Sequence, residues 1–284
     1  MHFLQFHLSI GRLSVNIGAF VISRLTPRRS VPTITSFGRR VINGGVMKLD
    51  VLAIAAHPDD VELSCGGTLL KMAEMGYRTG ILDLTRGEMG TRGTPEIRAR
   101  EASAAANILR VKVRENLGLP DSRLEVNEEF KRKIAERIRA LQPHTVILPY
   151  WEGRHPDHYT AARLGYEGCF IAGLKQMPLK GEAFRPFKIL YSAVYQDVTP
   201  SFAVDISSQF DKRRRAILAY KSQFNPPKSQ KRSKVYLPLD QLEHEMNLIT
   251  SYYGRMIGVR HAEPFVTREI QAVDDIVKMP VRSF

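Results

Sequence analysis

Two short runs of the sequence combine histidine with aspartate in patterns suited to metal chemistry. Residues 56–62 read Ala-His-Pro-Asp-Asp-Val-Glu and follow an apolar run at 51–55. Residues 155–158 read His-Pro-Asp-His and follow a second apolar run at 145–148. Imidazole and carboxylate are ligands that zinc favours, and a catalytic zinc needs three protein ligands and an open position. If both runs end parallel strands, their polar groups meet at one edge of a sheet, which predicts a metal site there.

Each run also has a plainer interpretation when it is taken alone. Aspartate ahead of a helix commonly accepts the free N–H groups of the first turn, so Asp59 is also a candidate helix cap. Two histidines three residues apart on a helix are usually solvated. The occurrence of both runs at corresponding strand ends favours the metal site over these alternatives.

The elements that must position these residues are predicted from hydrophobic periodicity. Short apolar runs alternate with longer amphipathic segments, which is typical of β-α units around a parallel sheet. The first four strands are predicted at 49–55, 78–84, 111–116 and 145–149, with helices at 61–75, 95–109, 127–141 and 158–174. Later strands are predicted at 188–196 and 202–206, helices at 207–221 and 239–256, and a loop around Pro226-Pro227. The pattern indicates an α/β fold: a Rossmann-like, mostly parallel sheet flanked by helices, with the site at the carboxyl ends of the strands.

Composition narrows the class of protein. The chain has 284 residues with 43% apolar content, enough for one sizeable core. Its two cysteines, Cys65 and Cys169, are too few for a disulfide framework, so we expect reduced core thiols in a cytoplasmic protein. No apolar run approaches the roughly 18 residues of a membrane span, so we expect no membrane association.

The net charge of +13 is unevenly distributed. Residues 1–46 hold six arginines and no acidic residue, and further basic runs lie at 212–215 and 228–234. Basic runs of this kind are usually solvated faces, and no nucleic-acid-binding signature accompanies them, so we expect no nucleic-acid partner. We expect 1–46 to be an N-terminal extension, either disordered or the product of a misassigned start before Met47, although its composition also resembles a transit peptide. Residues 47–284 are expected to form a single domain.

From Lys48 onward the chain resembles the PIG-L/LmbE family of zinc-dependent N-acetylglucosaminide deacetylases, and within it most closely the deacetylases of bacillithiol biosynthesis. The two His-Pro-Asp runs carry the resemblance to the broad family. Other matching segments are Gly66-Gly67-Thr68, residues 84–94 (Leu-Thr-Arg-Gly-Glu-Met-Gly-Thr-Arg-Gly-Thr), Arg98 with Arg100-Glu101-Ala102, residues 115–121 (Glu-Asn-Leu-Gly-Leu-Pro-Asp), residues 219–224 (Ala-Tyr-Lys-Ser-Gln-Phe), and Tyr252-Tyr253-Gly254 with Ile257-Gly258.

The resemblance implies a role for each candidate site residue. The implied metal ligands are His57, Asp60 and His158, holding zinc, or iron(II), which accepts similar ligands. The implied catalytic groups are Asp59 as general base, His155 as oxyanion stabiliser or proton donor to the leaving amine, and Asp157 as the group that orients or charges His155. The implied substrate-binding residues are Arg98, Glu88, Arg92 and Asp121.

The leading functional hypothesis is removal of the N-acetyl group from N-acetylglucosaminyl L-malate, an anionic amino-sugar conjugate. Alternatives within the family are deacetylation of another GlcNAc conjugate and amide hydrolysis of a thiol conjugate. A dinucleotide-binding module is disfavoured because the first strand leads into His-Pro-Asp-Asp rather than Gly-x-Gly-x-x-Gly. A non-catalytic sugar-binding protein is disfavoured because ligands and base are all present. Family relatives commonly assemble into oligomers, so we expect a homo-oligomer.

Overall fold

The sheet is built outward from a central apolar strand, β1 (Val51–Ala55). A computed structural model of the protein describes residues 48–193, 197–224 and 238–281. Within these residues the other strands are β2 (Thr79–Thr85), β3 (Val113–Leu119), β4 (Thr145–Pro149), β5 (Lys188–Ser192), β6 (Phe202–Asp205) and β7 (Ala262–Val266). The helices are α1 (Asp60–Ser64), α2 (Gly66–Glu74), α3 (Pro95–Ile108), α4 (Glu128–Leu141), α5 (Pro156–Ala172), α6 (Phe210–Leu218), α7 (Lys221–Phe224) and α8 (Leu239–Met256).

The strand order is β3-β2-β1-β4-β5-β7-β6 among the described residues. The first five of these strands run parallel, whereas β7 runs antiparallel to both of its neighbours. Chain order moves outward from β1 to β3 on one side and from β4 to β5 on the other. This is a doubly wound α/β arrangement whose direction reverses between β1 and β4, the position at which such sheets bind ligands. The predicted α/β fold with a mostly parallel sheet is confirmed.

Apolar side chains cover both faces of the sheet. Helices α4 and α5 pack on one face through a core that includes Ile134, Ile138 and Leu164. On the other face, α2, α3 and α6 contribute Leu70, Ala105 and other buried side chains. Burial on both faces explains why β1 and β4 read as continuous apolar runs rather than alternating ones.

Both cysteines lie inside this core, at 1% exposure each, and neither forms a disulfide. Burial raises the pKa of each thiol to about 12. Cys65 and Cys169 are therefore unreactive packing groups, as the sequence predicted.

Local sequence signals set the ends of several helices. The Thr94 hydroxyl accepts a hydrogen bond from the Ile97 N–H at 3.3 Å at the start of α3, and Pro95 occupies the first helical position. The Asn127 side chain accepts from the Phe130 N–H at 2.9 Å at the start of α4. These caps fall at the predicted boundaries of both helices.

Two helix predictions need correction, and one strand was not predicted. The predicted helix 61–75 is two helices, because the backbone of Cys65 leaves the helical region (φ −145°, ψ 19°) between α1 and α2. The predicted helix 207–221 is likewise shorter and divided, ending as α6 at Leu218 before the single turn of α7. Strand β7 was not predicted, since its five residues contain Pro264 and lack the alternation of a half-buried strand.

Some predictions lie outside the described residues. These are the ones for the extension at 1–46, for the loop at Pro226-Pro227 and for the end of the 188–196 strand.

No helix in the described part of the chain is both long enough and apolar enough to span a membrane.

Candidate active site

The two His-Pro-Asp runs meet at the carboxyl edge of the sheet. Strands β1 and β4 are hydrogen-bonded neighbours, with Val51 opposite Thr145. The chain leaves β1 into residues 56–60 and leaves β4 into residues 150–158, so both runs lie at the point where the strand order reverses. The fold therefore brings together side chains that are about a hundred positions apart in the sequence.

Three of these side chains form a group with the geometry of a metal site. Ligand atoms of His57, Asp60 and His158 all lie within 4.8 Å of one another. The His57 Nδ1 to Asp60 Oδ2 distance is 3.4 Å, and the His158 Nε2 to Asp60 Oδ1 distance is 3.2 Å. Tetrahedral zinc ligands are about 3.3 to 3.5 Å apart, given metal–ligand bonds of roughly 2.0 to 2.2 Å. Two imidazoles and one carboxylate are thus placed as a candidate set of ligands for a divalent cation.

The other nitrogen of His57 faces two more carboxylates. Its Nε2 lies 3.1 Å from Asp121 Oδ1 and 3.4 Å from Asp157 Oδ2. Burial alone would lower the pKa of His57, but the hydrogen bonds to Asp121, Asp157 and Asp60 outweigh it and raise that pKa well above its usual value. A carboxylate on the distal nitrogen of a ligating histidine fixes the orientation of the ring. Asp121, predicted to contact substrate, is therefore a direct neighbour of His57.

Asp60 is held in its ionised form. Burial would raise its pKa, yet the charges and hydrogen bonds of His158 and His57 hold the pKa well below its usual range. An ionised carboxylate is the form that binds a cation.

Asp59 occupies the N-cap position of α1, but its side chain makes no capping hydrogen bond. Its backbone has φ 105°, a left-handed conformation that is uncommon for any residue other than glycine. Such strain persists where the surroundings impose it, and it concentrates at functional sites. The plain helix-cap interpretation of Asp59 is therefore wrong.

The Asp59 side chain instead points to an arginine. Its Oδ2 accepts a hydrogen bond from Arg98 Nη2 at 3.0 Å, and both residues are buried. Burial raises the pKa of Asp59 to about 7, although the Arg98 guanidinium acts in the opposite direction. A carboxyl group with this pKa is suited to exchanging protons near neutral pH.

His155 lies beside the two histidines of the metal group. Its ring centroid is 4.9 Å from those of His57 and His158. Its Nδ1 accepts a hydrogen bond from the Asp157 N–H at 3.2 Å, so the neutral ring carries its proton on Nε2. Burial, together with the neighbouring histidines, lowers the pKa of His155. The Asp157 carboxylate turns away, towards His57 and towards the Ser122 N–H at 2.7 Å.

The remaining predicted substrate residues occupy the loops around this centre. Arg98 also donates to the carbonyl oxygens of Pro58 and Gly87, so it ties the loop after β2 to the first His-Pro-Asp run. Glu88 is exposed and accepts from the Asp121 N–H at 2.8 Å. Arg92 donates to the Gln223 carbonyl oxygen at 3.2 Å.

The sequence did not predict a buried ionic network that includes Glu62 of α1. Glu62 and Asp83 both pair with Arg114, whose Nε lies 2.8 Å from Asp83 Oδ2. The Tyr220 hydroxyl donates to Glu62 Oε1 at 3.1 Å, which gives the motif at 219–224 a structural role. The acidic end of the first motif was visible in the sequence, but its partners lie 52 and 158 residues away.

A second missed carboxylate supports α2. Glu263 on β7 accepts hydrogen bonds from the Gly67 N–H at 2.9 Å and the Thr68 N–H at 2.7 Å. Arg213 Nε lies 2.9 Å from Glu263 Oε1 and balances its charge. A carboxylate at a helix N-terminus satisfies free N–H groups and opposes the helix dipole, so this contact stabilises the start of α2 just after the break at Cys65.

Fold and site together define an α/β protein with a candidate metal centre at the switch point of its sheet. The family model of the GlcNAc-PI de-N-acetylases (PIG-L) matches residues 52–169, which include both His-Pro-Asp runs. A diacetylchitobiose deacetylase from Thermococcus kodakarensis is 33% identical over 226 residues, covering 75% of this chain and 80% of the relative. The chain therefore belongs to the PIG-L family of deacetylases.

Two further proteins are similar to this chain. The crystal structure of the conserved protein TT1542 from Thermus thermophilus superposes with a TM-score of 0.72 at 41% identity, covering 80% of this chain and 98% of that one. A probable N-acetyl-α-D-glucosaminyl L-malate deacetylase 2 from Bacillus anthracis is 32% identical over 122 residues, covering 38% of this chain and 54% of the relative.

Proposed function

We propose that this protein is a metal-dependent hydrolase that removes the N-acetyl group from a conjugate of N-acetylglucosamine. The observation that carries the proposal is the group of His57, Asp60 and His158, placed beside the buried carboxyl group of Asp59. An acetamide is a weak electrophile, and its amine leaves only after it gains a proton. A deacetylase must therefore activate water, stabilise an oxyanion and deliver a proton.

The metal group meets the first requirement. Zinc held by His57, Asp60 and His158 would polarise the acetamide carbonyl and lower the pKa of water to roughly 7. Two nitrogen ligands and one carboxylate support zinc, and they also suit iron(II).

Asp59 is the proposed general base. It lies next to Asp60 in sequence, but its carboxylate is directed to Arg98 rather than into the group of ligands. From there it takes the proton of the attacking water and returns it to the nitrogen of the leaving amine. Arg98 acts as the partner that holds this carboxylate in place.

His155 is the proposed oxyanion stabiliser. Because its Nδ1 accepts from the Asp157 N–H, its Nε2–H is the hydrogen available for donation to the carbonyl oxygen as negative charge develops. The same arrangement favours oxyanion stabilisation over protonation of the amine, since a neutral imidazole is a weak acid. Asp157 then orients His155 through its main chain and His57 through its carboxylate.

Two conjugates are candidate substrates. N-acetylglucosaminyl L-malate follows from the motifs of the sequence and from the Bacillus anthracis relative. Diacetylchitobiose is favoured by the longer match to the Thermococcus kodakarensis deacetylase. Arg98, one of the implied substrate-binding residues, is engaged with Asp59 here, so any preference for malate must rest on other groups.

Acetate release measured side by side tests the proposal. The zinc-loaded protein is assayed on N-acetylglucosaminyl malate, diacetylchitobiose and an N-acetylglucosaminide with a neutral aglycone of similar size. We expect acetate from at least one, and the ratio of kcat/KM values assigns the substrate. A charge-assisted bidentate contact to malate predicts a preference of roughly tenfold to a hundredfold over the neutral aglycone. Failure to release acetate from any of the three by a metal-loaded, folded protein would overturn the proposal.

A further inference from the structure

An arginine that follows the last strand lies among three aromatic rings. The Arg268 guanidinium carbon is 4.6 Å from the ring centroid of Trp151, 5.0 Å from that of Tyr191 and 5.1 Å from that of Tyr166. A guanidinium at such distances is attracted to the negative face of each ring. We call these four residues the arginine cage.

The three rings come from different parts of the site scaffold. Tyr191 is a buried residue of β5, and Tyr166 lies on α5. Trp151 lies in the link 150–155 that joins β4 to α5, and its ring packs edge-on against Tyr191 at 4.8 Å. The arginine cage therefore connects the segment after β7 to the link that ends in His155.

The link and the first turn of α5 together set where the His155 ring lies, since the Asp157 N–H also donates to His155 Nδ1 at 3.2 Å. At the start of the link, the Tyr150 N–H donates to the Ser192 carbonyl oxygen at 2.8 Å. At its end, His155 is the N-cap residue of α5. Gly153, between these two anchors, contributes no side chain that could restrain the link. Between these anchors Trp151 packs against the core, beside Tyr150 at the start of the link.

We propose that Arg268 is a positioning residue that fixes the 150–155 link through Trp151 and so places His155 for catalysis. The proposal rests on the function proposed above for His155. It assigns Arg268 no contact with substrate or metal. His57 and Asp60 lie on another segment, and His158 lies within the helical turns of α5, so we expect loss of the arginine cage to change the link, and with it His155, more than the metal group.

Tryptophan fluorescence gives a readout that is independent of activity. Trp151 is the single tryptophan of the sequence, so emission and acrylamide quenching report on this ring and its immediate surroundings. Arg268→Met keeps the apolar stem and removes the charge, whereas Arg268→Lys keeps a cation that still interacts with the rings. Arg163→Met is the matched control, because Arg163 is an exposed arginine of α5 that pairs with Glu167 at 2.8 Å.

We expect Arg268→Met to raise the acrylamide quenching constant of Trp151 by about twofold and to lower kcat by about fivefold to thirtyfold. KM and bound metal stay at wild-type values. Arg268→Lys recovers most of both effects, and Arg163→Met matches wild type in both.

The two proposals fail in different ways. Unchanged quenching in Arg268→Met would overturn the arginine cage as the restraint on the link, whatever the activity. Raised quenching with wild-type kcat would overturn the positioning of His155. A wild-type protein that releases no acetate from any N-acetylglucosaminide would refute the proposed function, and the quenching comparison would still decide whether Arg268 holds the link.

Discussion

Replacing Asp59 by asparagine should abolish most activity and, at the same time, stabilise the protein. Asparagine has nearly the same shape, and it tolerates the left-handed backbone (φ 105°) better than most residues. The amide oxygen can still accept from Arg98 Nη2, so the contact at 3.0 Å is retained in form. What is lost is the negative charge and the ability to take up a proton.

The stabilisation follows from the pKa of Asp59. The carboxyl group has a pKa of 3.8 in the unfolded reference and about 7 in the fold, a value that already includes the attraction of Arg98. Because the unfolded chain gives up this proton more readily, the ionised carboxylate destabilises the fold, beginning above pH 3.8 and fully above pH 7. A difference of about three pH units corresponds to an upper limit of about 4 kcal/mol. A neutral asparagine removes this penalty, so we expect a gain of about 1 to 4 kcal/mol at about pH 8.

Urea unfolding at the same pH measures this gain in the free energy of unfolding. The protein is first treated with a chelator, because the charge of a bound cation would itself change the stability. Acetate release by the zinc-loaded variant should fall by about 10² to 10⁴ while metal content stays at the wild-type level. Asp50→Asn is the matched control, because Asp50 also lies beside an arginine, Arg78 at 3.7 Å, but at the opposite edge of the sheet and partly exposed. An Asp59→Asn variant with near wild-type turnover, or one less stable than wild type at this pH, would refute this reasoning.

Two further substitutions test the metal group and the packing around α2. His158→Ala removes one of three ligands, so elemental analysis should show that it loses most of the bound zinc. His244→Ala, on the exposed side of α8, is the control and should retain the zinc. Equal metal content in the two variants would exclude the proposed ligand set. Gly67→Ala should lower the free energy of unfolding by about 1 to 3 kcal/mol, because its new methyl group would lie 2.9 Å from Glu263 Oε1. The adjacent Gly66→Ala meets nothing closer than 3.5 Å and should leave the urea midpoint near wild type; equal effects of the two glycine substitutions would contradict the packing argument.

The parallel part of the sheet could be predicted from the sequence because its signals are local. Strands β1 and β4 are apolar runs ended by polar residues, and α3 and α4 begin at their own capping side chains. The break at Cys65 exposes the N–H groups at the start of α2, and Glu263 of β7 accepts hydrogen bonds from them. The break is therefore linked to a contact with β7. No local pattern contains that contact, so the sequence predicted one continuous helix.

The convergence of the two His-Pro-Asp runs could also be predicted from the sequence, because adjacent parallel strands end at a common edge. The contacts between side chains within the site could not be predicted from the sequence. The contact of Asp121 with His57, and that of Arg98 with Asp59, join residues 64 and 39 positions apart whose side-chain directions depend on loop conformation. The roles of the catalytic and substrate-binding residues stay predictions, and Asp59→Asn tests that of Asp59 directly.

The carboxylate of Glu263 has a consequence for how the protein is made. It reaches back 196 positions to the start of α2, so the helices that follow the first His-Pro-Asp run are completed by a strand that leaves the ribosome long after them. Contacts of such long sequence separation form late, because closing the intervening chain costs entropy before the contact can form. During synthesis, the N–H groups at the amino end of α2, next to the segment that bears His57 and Asp60, therefore lack the Glu263 carboxylate until β7 has emerged. A nascent chain stalled before β7 should accordingly be more sensitive to protease around residues 60–70 than one stalled after it.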